Sequence, residues 1–232
     1  MSSKLSSRVK FLKTVLSVLG HKKALKALNL MIQEMCSEKG YSRHDGSHYY
    51  LHLVDVTMKI FNSGIRDEDI LTTAILHDAI EDVEWINYDF IKREFGKEVA
   101  DDVLILTKNP DIDYKQDEAA LLTYLNQCFS RPSTAIVKTA DRIHNFNTLG
   151  NADTDKQLRV ANDTEKNFFP MFKFARNEYP EYAPFFYQAK TEIEPHLLKI
   201  KESCEMERVL RQEIAKLQEE VKSLSITFEE AL

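Results

Sequence analysis

The sequence predicts an all-α fold, and three observations on its 232 residues support this class. Apolar residues recur at intervals of three and four along most of the chain, as they do on one face of an α-helix. No two segments of alternating apolar and polar residues are joined by a tight turn, so no β-hairpin is predicted. The last glycine is Gly150 and the last proline is Pro195, so the C-terminal end contains neither helix breaker.

Each predicted helix is defined by this periodicity and, in several cases, by a stop signal after it. The second helix stops near Gly40, and Asn62-Ser63-Gly64 ends the third, whose residues also have strand propensity. The polar segment 41–47 is predicted to be a loop, and the nearly continuous apolar segment 70–80 to be one buried helix. The predicted helices are 11–19, 24–35, 49–61, 70–80, 87–95, 99–107, 118–128, 134–149, 156–176 and 184–201.

The segment from about Glu202 onward has a heptad pattern. Leucines fall at the d positions and β-branched residues at two of the four a positions, with Glu and Lys beside them, as in coiled coils. The d positions are Leu210, Leu217 and Leu224, and the a positions are Glu207, Ile214, Val221 and Phe228. Two interpretations stay open, an oligomerising coiled coil and an amphipathic helix docked on the domain, because two to three heptads are few for an independent coiled coil.

Composition and charge exclude several classes of protein. The chain has 43% hydrophobic and 29% charged residues, which is ordinary for a soluble globular protein. No apolar run approaches the roughly 20 residues that span a bilayer, and the N-terminus has no signal sequence. The three cysteines suit neither a disulfide framework nor a CxxC metal site. The net charge of −6 argues against coating nucleic acid. We therefore expect a cytoplasmic protein without a membrane or nucleic-acid partner.

Four titratable side chains lie within six positions at the end of the apolar segment 70–80. They are His77, Asp78, Glu81 and Asp82. On one helix His77 and Glu81, and likewise Asp78 and Asp82, are neighbours one turn apart. No Lys or Arg lies between Arg66 and Lys92, and burying three carboxylates together is costly without a positive charge. A bound divalent cation such as Mn, Fe or Zn explains the cluster, whereas a solvated helix end capped by His77 is the alternative.

Two other segments favour the metal interpretation. His52 lies among residues that would bury its ring, in the sequence YYLHLV. Asp141 lies on an apolar helix with Asn145 one turn later. A single His or Asp in such a setting is more often a core side chain whose hydrogen bonds are made within the protein. Together with His77 and Asp78, however, His52 and Asp141 complete a His…His-Asp…Asp set that suits a divalent metal.

This order of residues resembles that of the HD-domain metal-dependent phosphohydrolases. The segments ILHDAIEDV, FGKEVADDV and KTADRIHNFNTL, with the spacing from Arg43 to His52, are similar to the hydrolase domain of the RelA/SpoT alarmone enzymes. The resemblance is greatest to the stand-alone small alarmone hydrolases and covers about residues 22–195. It implies an HD-domain helical bundle at 22–200, preceded by an N-terminal helix at 1–21 and followed by a helical tail at 201–232.

The resemblance also implies a role for each candidate residue. One Mn²⁺ ion would be bound by His52, His77, Asp78 and Asp141. The attacking water would be positioned and deprotonated by Glu81 and Asp82. Arg43 would lie against the guanine base, while Asn145 and Thr148 would hold the nucleotide. Charge repulsion between the carboxylates and a polyphosphate also calls for basic side chains, for which the candidates are Arg43, Lys138, Arg142 and Arg159. The implied reaction removes the 3′-pyrophosphate from ppGpp or pppGpp and gives GDP or GTP and pyrophosphate.

Departures from the family pattern leave the substrate open. Family members usually have Pro directly after the first metal-binding His, whereas this chain has Leu53. They usually have the sequence Gly-Glu-Pro-Tyr before it, whereas residues 46–49 of this chain are Gly-Ser-His-Tyr. These changes keep the ligands but alter the wall beside the base. An HD phosphohydrolase acting on a dNTP, a nucleoside monophosphate or NADPH is therefore an alternative. A nucleotide-sensing module that assembles through the tail is another, although the Glu81-Asp82 pair argues against a pure sensor.

The remaining signals are assigned to structure. We predict that His44 and His48 are loop residues, that His144 is a structural hydrogen-bonder, and that Trp85 packs against its neighbours. We also expect no synthetase domain, because little sequence follows the hydrolase-like region.

Overall fold

The computed structural model describes residues 6–43 and 46–230, with side chains for all of these except 151 and 223–230. His44, predicted to be a loop residue, lies outside the described residues. The helices are α1 (Ser7–Val18), α2 (Lys22–Glu34), α3 (Tyr50–Asn62), α4 (Glu68–Leu76), α5 (Ala79–Asp82), α6 (Tyr88–Phe95), α7 (Lys97–Leu106), α8 (Glu118–Cys128), α9 (Pro132–Asn147), α10 (Thr154–Asp163), α11 (Phe169–Glu178) and α12 (Ala183–Glu230). Within the described ranges the one β feature is an isolated bridge between Ser42 and His48, so the predicted all-α class is confirmed.

Short polar side chains define where several helices begin. Asp67 accepts hydrogen bonds from the backbone N–H groups of residues 69 and 70 at the start of α4, and Asn87, Asp117 and Asp153 cap α6, α8 and α10 in the same way. These bonds satisfy N–H groups that have no partner within the first turn of a helix. Pro132 begins α9, where its missing N–H costs nothing.

Three helices, α3, α4 and α9, pack against one another at the centre of the domain. Their contact faces are fully buried, as shown by Leu53, Val56, Ile75, Ile136 and Val137, which expose no surface. The helices α2 and α7 also pack on α4, and α12 packs on α9. Removing each such side chain from water contributes roughly 1.5–3 kcal/mol before the entropy cost of folding. The packing fixes the three central helices relative to one another, together with any polar side chain at their junction.

The prediction of one continuous helix over 70–80 is wrong. The helix α4 ends at Leu76, and α5 begins at Ala79 after a turn formed by His77 and Asp78. Asp78 has φ −99° and ψ 2°, the bridge region typical of turns and active sites. Consecutive side chains on a regular helix point about 100° apart. The turn removes this restriction and lets the side chains of His77 and Asp78 approach each other.

The segment 156–176 also differs from a single regular helix. A π-helical turn, Thr164–Phe168, separates α10 from α11. Arg142 of α9 donates hydrogen bonds to Asp163 and Thr164, and its guanidinium lies 3.5 Å from the centre of the Phe168 ring. The wider turn thus coincides with the place where a partly buried arginine of the central helix α9 is held.

The last helix, α12, runs without a break through residue 200, where the domain was predicted to end. It contacts the domain as far as Glu207, whose carboxylate accepts a hydrogen bond from Thr154 at 2.8 Å. Beyond that point Leu210, Ile214 and Leu217 are each more than half exposed, so this part of α12 projects from the domain. Leu224 and Phe228, two of the predicted heptad positions, lie outside the described side chains. Among the helices described, none is both long and apolar enough to span a membrane.

Candidate active site

The central helices bring four predicted ligands to one point. His52 lies on α3, Asp141 on α9, and His77 and Asp78 in the turn after α4. Nε2 of His52 is 3.3 Å from Asp141 Oδ1 and 3.6 Å from Asp78 Oδ2. Nε2 of His77 is 3.2 Å from Asp78 Oδ2 and 3.9 Å from Asp141 Oδ1. His52 and His77 are almost completely buried, so the four groups face a small polar space enclosed by the helices.

One ring nitrogen of His77 has a partner and the other has none. Nδ1 lies 2.8 Å from the carbonyl oxygen of Ala74, to which it donates its hydrogen. Nε2 is buried, faces two carboxylates and makes no hydrogen bond. A neutral imidazole then points its lone pair at negative oxygens, which is repulsive unless a cation or a proton lies between them.

The pKa values of the clustered His and Asp side chains also indicate that a positive charge stabilises the cluster. Burial lowers the pKa of His77, but the carboxylates of Asp78 and Asp141 outweigh burial and raise that pKa to about 9. Burial acts to raise the pKa of Asp78, but the His77 charge beside it lowers that pKa below its usual range. The pKa of His52 is lowered, chiefly by burial, so this ring is neutral. Without a metal, a proton on His77 supplies the missing charge.

Asp141 is held by two further side chains of α9. Lys138 Nζ lies 3.2 Å from Asp141 Oδ2, and Asn145 Nδ2 lies 2.6 Å from Asp141 Oδ1. Burial acts to raise the pKa of Asp141, but the Lys138 charge overcomes it, so the pKa is lowered well below its usual value. Lys138 and Asn145 were predicted to contact substrate, and in the structure both contact the predicted ligand Asp141.

The predicted acid pair lies at the exposed edge of this cluster. The expectation that Glu81 and Asp82 are buried with Asp78 is wrong, because both side chains are solvent-exposed. Glu81 Oε2 accepts a hydrogen bond of 3.1 Å from the backbone N–H of Lys108. Partial desolvation, followed by repulsion from Asp78 and Glu81, raises the pKa of Asp82 to about 6. Asp82 is therefore ionised at neutral pH but close enough to neutrality to accept and release a proton.

A pocket of about 660 Å³ adjoins the cluster. It contains several basic residues and shares Asp141 and Tyr49 with the ligand cluster, since the Tyr49 hydroxyl donates to Asp78 Oδ2 at 2.8 Å. The residues that line it are Ser42, Arg43, Tyr49, Lys108, Lys138, Asp141, Arg142, Asn145, Asn147, Thr148, Leu149, Ala152, Lys156 and Val160. The lining includes five residues predicted to contact substrate, namely Arg43, Lys138, Arg142, Asn145 and Thr148. Arg43 donates a hydrogen bond of 3.0 Å to Thr148.

Some assignments of pocket residues differ from the sequence interpretation. Arg142 lines the pocket, but its guanidinium is already engaged by Asp163, which gives it a structural role. Arg159 is exposed and does not line the pocket. Sequence reasoning missed Lys108 and Lys156. Lys108 lies directly after the predicted helix 99–107, a position that gives no signal of its distant partner Glu81.

Histidine and tryptophan side chains near the site have structural partners. His48 Nδ1 accepts a hydrogen bond of 3.0 Å from the backbone N–H of Ser37, and the His48 ring stacks on Tyr50. His144, predicted to be a structural hydrogen-bonder, lies with its Nδ1 at 2.9 Å from Nδ1 of His52. Trp85 packs edge-on against Phe90, although half of its surface is exposed.

A protein-family model described as "HD domain" matches residues 27–173, which include all four predicted ligands. The chain belongs to the HD-domain family. The match confirms the family resemblance of the sequence and, with it, the predicted helical fold.

Curated relatives of this HD-domain protein carry names from nucleotide metabolism. The chain is 32% identical over 130 residues to a guanosine-3′,5′-bis(diphosphate) 3′-pyrophosphohydrolase of Aquifex aeolicus, a match that covers 56% of this chain and 18% of the relative. It is 31% identical over 144 residues to the GTP pyrophosphokinase rsh of Brucella melitensis, which covers 60% of this chain and 19% of the relative. The matches thus span about a fifth of the length of these relatives.

A solved structure has the same fold. It is described as "A metazoan ortholog of SpoT hydrolyzes ppGpp and plays a role in starvation responses". The superposition has a TM-score of 0.56 and covers 78% of this chain and 95% of the other, at 19% identity. Since the identity is low, this likeness establishes the arrangement of the helices.

An HD domain implies a divalent metal ion, and the residues present fit one. His52, His77 and Asp78 offer ligand atoms that lie within 4.8 Å of one another, with Asp141 beside them. Two imidazole nitrogens and two carboxylates form a mixed nitrogen and oxygen set that suits Mn, Fe or Zn. The buried Nε2 of His77, which has no hydrogen-bond partner, is the atom that such an ion would satisfy.

Metal-stripped protein should bind one Mn²⁺ ion in calorimetric titration, and binding should depend on pH. Because the pKa of His77 is raised to about 9, its ring carries a proton below that pH, and the proton must leave before Nε2 can act as a ligand. Affinity should therefore rise with pH, by up to about tenfold per unit between pH 6.5 and 8.5. Binding that is independent of pH in this range would contradict the role of His77.

The matched variants for this titration are His77→Ala and His48→Ala. His77→Ala removes a proposed ligand and should weaken Mn²⁺ binding by more than the ~10–100-fold that is typical when a hydrogen-bond partner of a ligand is lost. His48→Ala should leave the affinity unchanged, because its ring bonds to Ser37 rather than to the cluster.

Proposed function

We propose that this chain is a Mn²⁺-dependent phosphohydrolase that removes the 3′-pyrophosphate of ppGpp or pppGpp. The observation that carries the proposal is the shared wall between the ligand cluster and the basic pocket, to which Asp141 and Tyr49 both belong. A polyphosphate held by the pocket would lie beside the metal site. The name of the Aquifex aeolicus relative and the ppGpp hydrolysis ascribed to the similar metazoan structure support this choice of substrate.

The pocket suits a small molecule with several phosphates. Its volume lies within the roughly 300–1,000 Å³ of typical ligand sites. Arg43, Lys108, Lys138, Arg142 and Lys156 line it with Asp141 as the acidic residue among the lining side chains. Their positive charge offsets the repulsion between the acid cluster and phosphate groups. We propose that Arg43, positioned by Thr148, forms the wall for the base and that Lys108 and Lys138 face the phosphates.

The acid pair, Glu81 and Asp82, would then position the attacking water and accept its proton. A bound divalent cation supplies Lewis acidity, which polarises a phosphoryl oxygen and makes nearby water more acidic. Glu81, fixed by the backbone of Lys108, positions the attacking water, and Asp82 accepts its proton. The water oxygen forms a bond to the phosphorus attached to O3′. The P–O3′ bond breaks, O3′ takes up a proton, and pyrophosphate leaves.

We further propose Mn²⁺ as the ion and the cytoplasm as the compartment. The ligand set mixes nitrogen and oxygen donors, which Mn²⁺ accepts, and the family resemblance favours this ion. Cys36, Cys128 and Cys204 are free thiols, as expected in a reducing compartment.

The substrate is tested by incubating the Mn²⁺-loaded protein separately with ppGpp, dGTP, GMP and NADPH. Phosphorus NMR should show GDP and pyrophosphate from ppGpp. Turnover of another nucleotide with none of ppGpp would contradict the proposed substrate and favour one of the alternatives. Nucleotide binding without any turnover would favour a sensor.

In the same assay Glu81→Gln and Asp82→Asn should each lower kcat by at least about 10²-fold, the size of a general acid–base contribution. Both should keep Mn²⁺ affinity within about threefold, because neither residue is a proposed ligand. Glu84→Gln, an exposed acid two positions further along, is the matched control and should retain full activity. Full activity in both acid-pair variants would remove the proposed mechanism.

We propose that the projecting part of α12 pairs with a second copy of this chain. Four of its exposed apolar residues follow the heptad, with Ile214 and Val221 at a and Leu210 and Leu217 at d. β-branched residues at a with leucine at d favour parallel two-stranded coiled coils. Leu210, Ile214 and Leu217 are each more than half exposed, which disfavours the alternative of a docked helix.

Sedimentation equilibrium of the full chain, whose monomer mass is 26.9 kDa, should give twice that mass. The double variant Leu210→Glu/Leu217→Glu should be monomeric, because it places carboxylates in the apolar seam. Gln212→Glu/Ala215→Glu adds the same charge at positions f and b and should remain dimeric. A monomeric wild-type chain, or a dimeric seam variant, would contradict pairing through the tail.

A further inference from the structure

A chain of polar side chains extends from His52 away from the ligand cluster. Nδ1 of His52 lies 2.9 Å from Nδ1 of His144, with the two rings edge to face at 4.7 Å. Nε2 of His144 lies 3.5 Å from Asp55 Oδ2. Asp55 in turn forms a short ion pair with Arg8. The contacts thus run from a ligand on α3 through α9 and back to α3, and end on α1.

The hydrogen bond between the two rings has one direction when His52 is a ligand. His52 faces both carboxylates of the cluster with Nε2, so this nitrogen must carry the lone pair that binds a metal. The ring proton is then on Nδ1, and His52 donates it to Nδ1 of His144. His144 must accept on Nδ1 and therefore carries its own hydrogen on Nε2, which faces Asp55.

Asp55 and Arg8 fix this arrangement from outside. A carboxylate accepts hydrogen bonds and donates none, so Asp55 favours the tautomer of His144 that has its hydrogen on Nε2. Arg8 offsets the charge of Asp55 and fixes its side chain. A carboxylate or carbonyl behind a metal-binding histidine orients the ring and makes it a better ligand.

Arg8 lies outside the part of the chain that matches the HD-domain family, which begins at residue 27. Its helix, α1, packs on α2 and α3. The Ser6 side chain caps the start of α1. Val9, next to Arg8, and Leu12, one turn further along, are fully buried. The N-terminal helix therefore holds Arg8 in a defined place next to α3.

We propose that His144, Asp55 and Arg8 are positioning residues that hold His52 in the tautomer and orientation required for metal binding, so that α1 completes the metal site. The inference rests on the metal site of the proposed function, but not on the identity of the nucleotide.

The test measures Mn²⁺ affinity of the metal-stripped full chain by calorimetry. Asp55→Asn keeps the shape of the side chain but removes its charge and adds an N–H donor, and it should weaken binding by about 10–100-fold. Arg8→Ala should cause a smaller loss. Asp69→Asn is the matched control, because Asp69 also forms an ion pair with a basic residue of another helix, Lys23. Asp69 lies about 12 Å along α4 from His77, so its charge is remote from the ligand cluster. It should bind like wild type.

A double-mutant cycle separates positioning from a general loss of charge or stability. If Asp55 acts through His144, Asp55→Asn should have no further effect on affinity in the His144→Ala background. Urea unfolding of each variant shows whether it is folded. In the Zn²⁺-loaded wild type, ¹⁵N NMR of histidine should find His52 protonated at Nδ1 and His144 at Nε2.

Three results would overturn the inference: wild-type affinity in folded Asp55→Asn, an equal loss in Asp69→Asn, or additive losses in the double variant. Failure of wild-type protein to bind any Mn²⁺ would instead remove the metal site itself. The nucleotide assay tests the substrate separately: with Mn²⁺ bound, wild-type affinity in Asp55→Asn removes only this inference, and lack of ppGpp turnover removes only the proposed substrate.

Discussion

The need for a positive charge between two imidazoles and two carboxylates governs the structure of this site. The four groups come from α3, α9 and the turn after α4, and the packing of these helices does not let them separate. Burial makes each uncompensated charge costly, so the protein supplies partial compensation around the cluster. Lys138 neutralises part of the charge of Asp141, and a proton on His77 does so for Asp78. A divalent cation would replace that proton and supply the charge in its place.

Two departures from regular helical structure lie near this site. The turn at His77 and Asp78 interrupts an otherwise apolar helix and lets both of these consecutive side chains face the ligand cluster. The π-helical turn at 164–168 accompanies the burial of Arg142, which anchors α9 to the neighbouring helix. Each irregularity lies beside predicted site residues, as expected where local structure is set by side-chain geometry rather than by periodicity alone.

Periodicity allowed the fold class to be predicted, because it is a local property of the sequence. Motif spacing identified four candidate ligands, which the structure brings together. The break after Leu76 could not be predicted, since the apolar pattern continues through it. The contact between Lys108 and Glu81 and the engagement of Arg142 by Asp163 depend on tertiary packing, which periodicity does not contain. The exposure of Glu81 was also missed, because an apolar run of sequence does not show where a helix reaches the surface.

The position of a bound metal ion is the most direct test of the proposed site. Crystals of the full chain soaked in Mn²⁺ and measured near the manganese absorption edge would locate the ion by its anomalous signal. We expect one strong peak in bonding contact with Nε2 of His52 and of His77 and with carboxylate oxygens of Asp78 and Asp141. A peak elsewhere, or one that contacts only the exposed Glu81 and Asp82, would contradict this site.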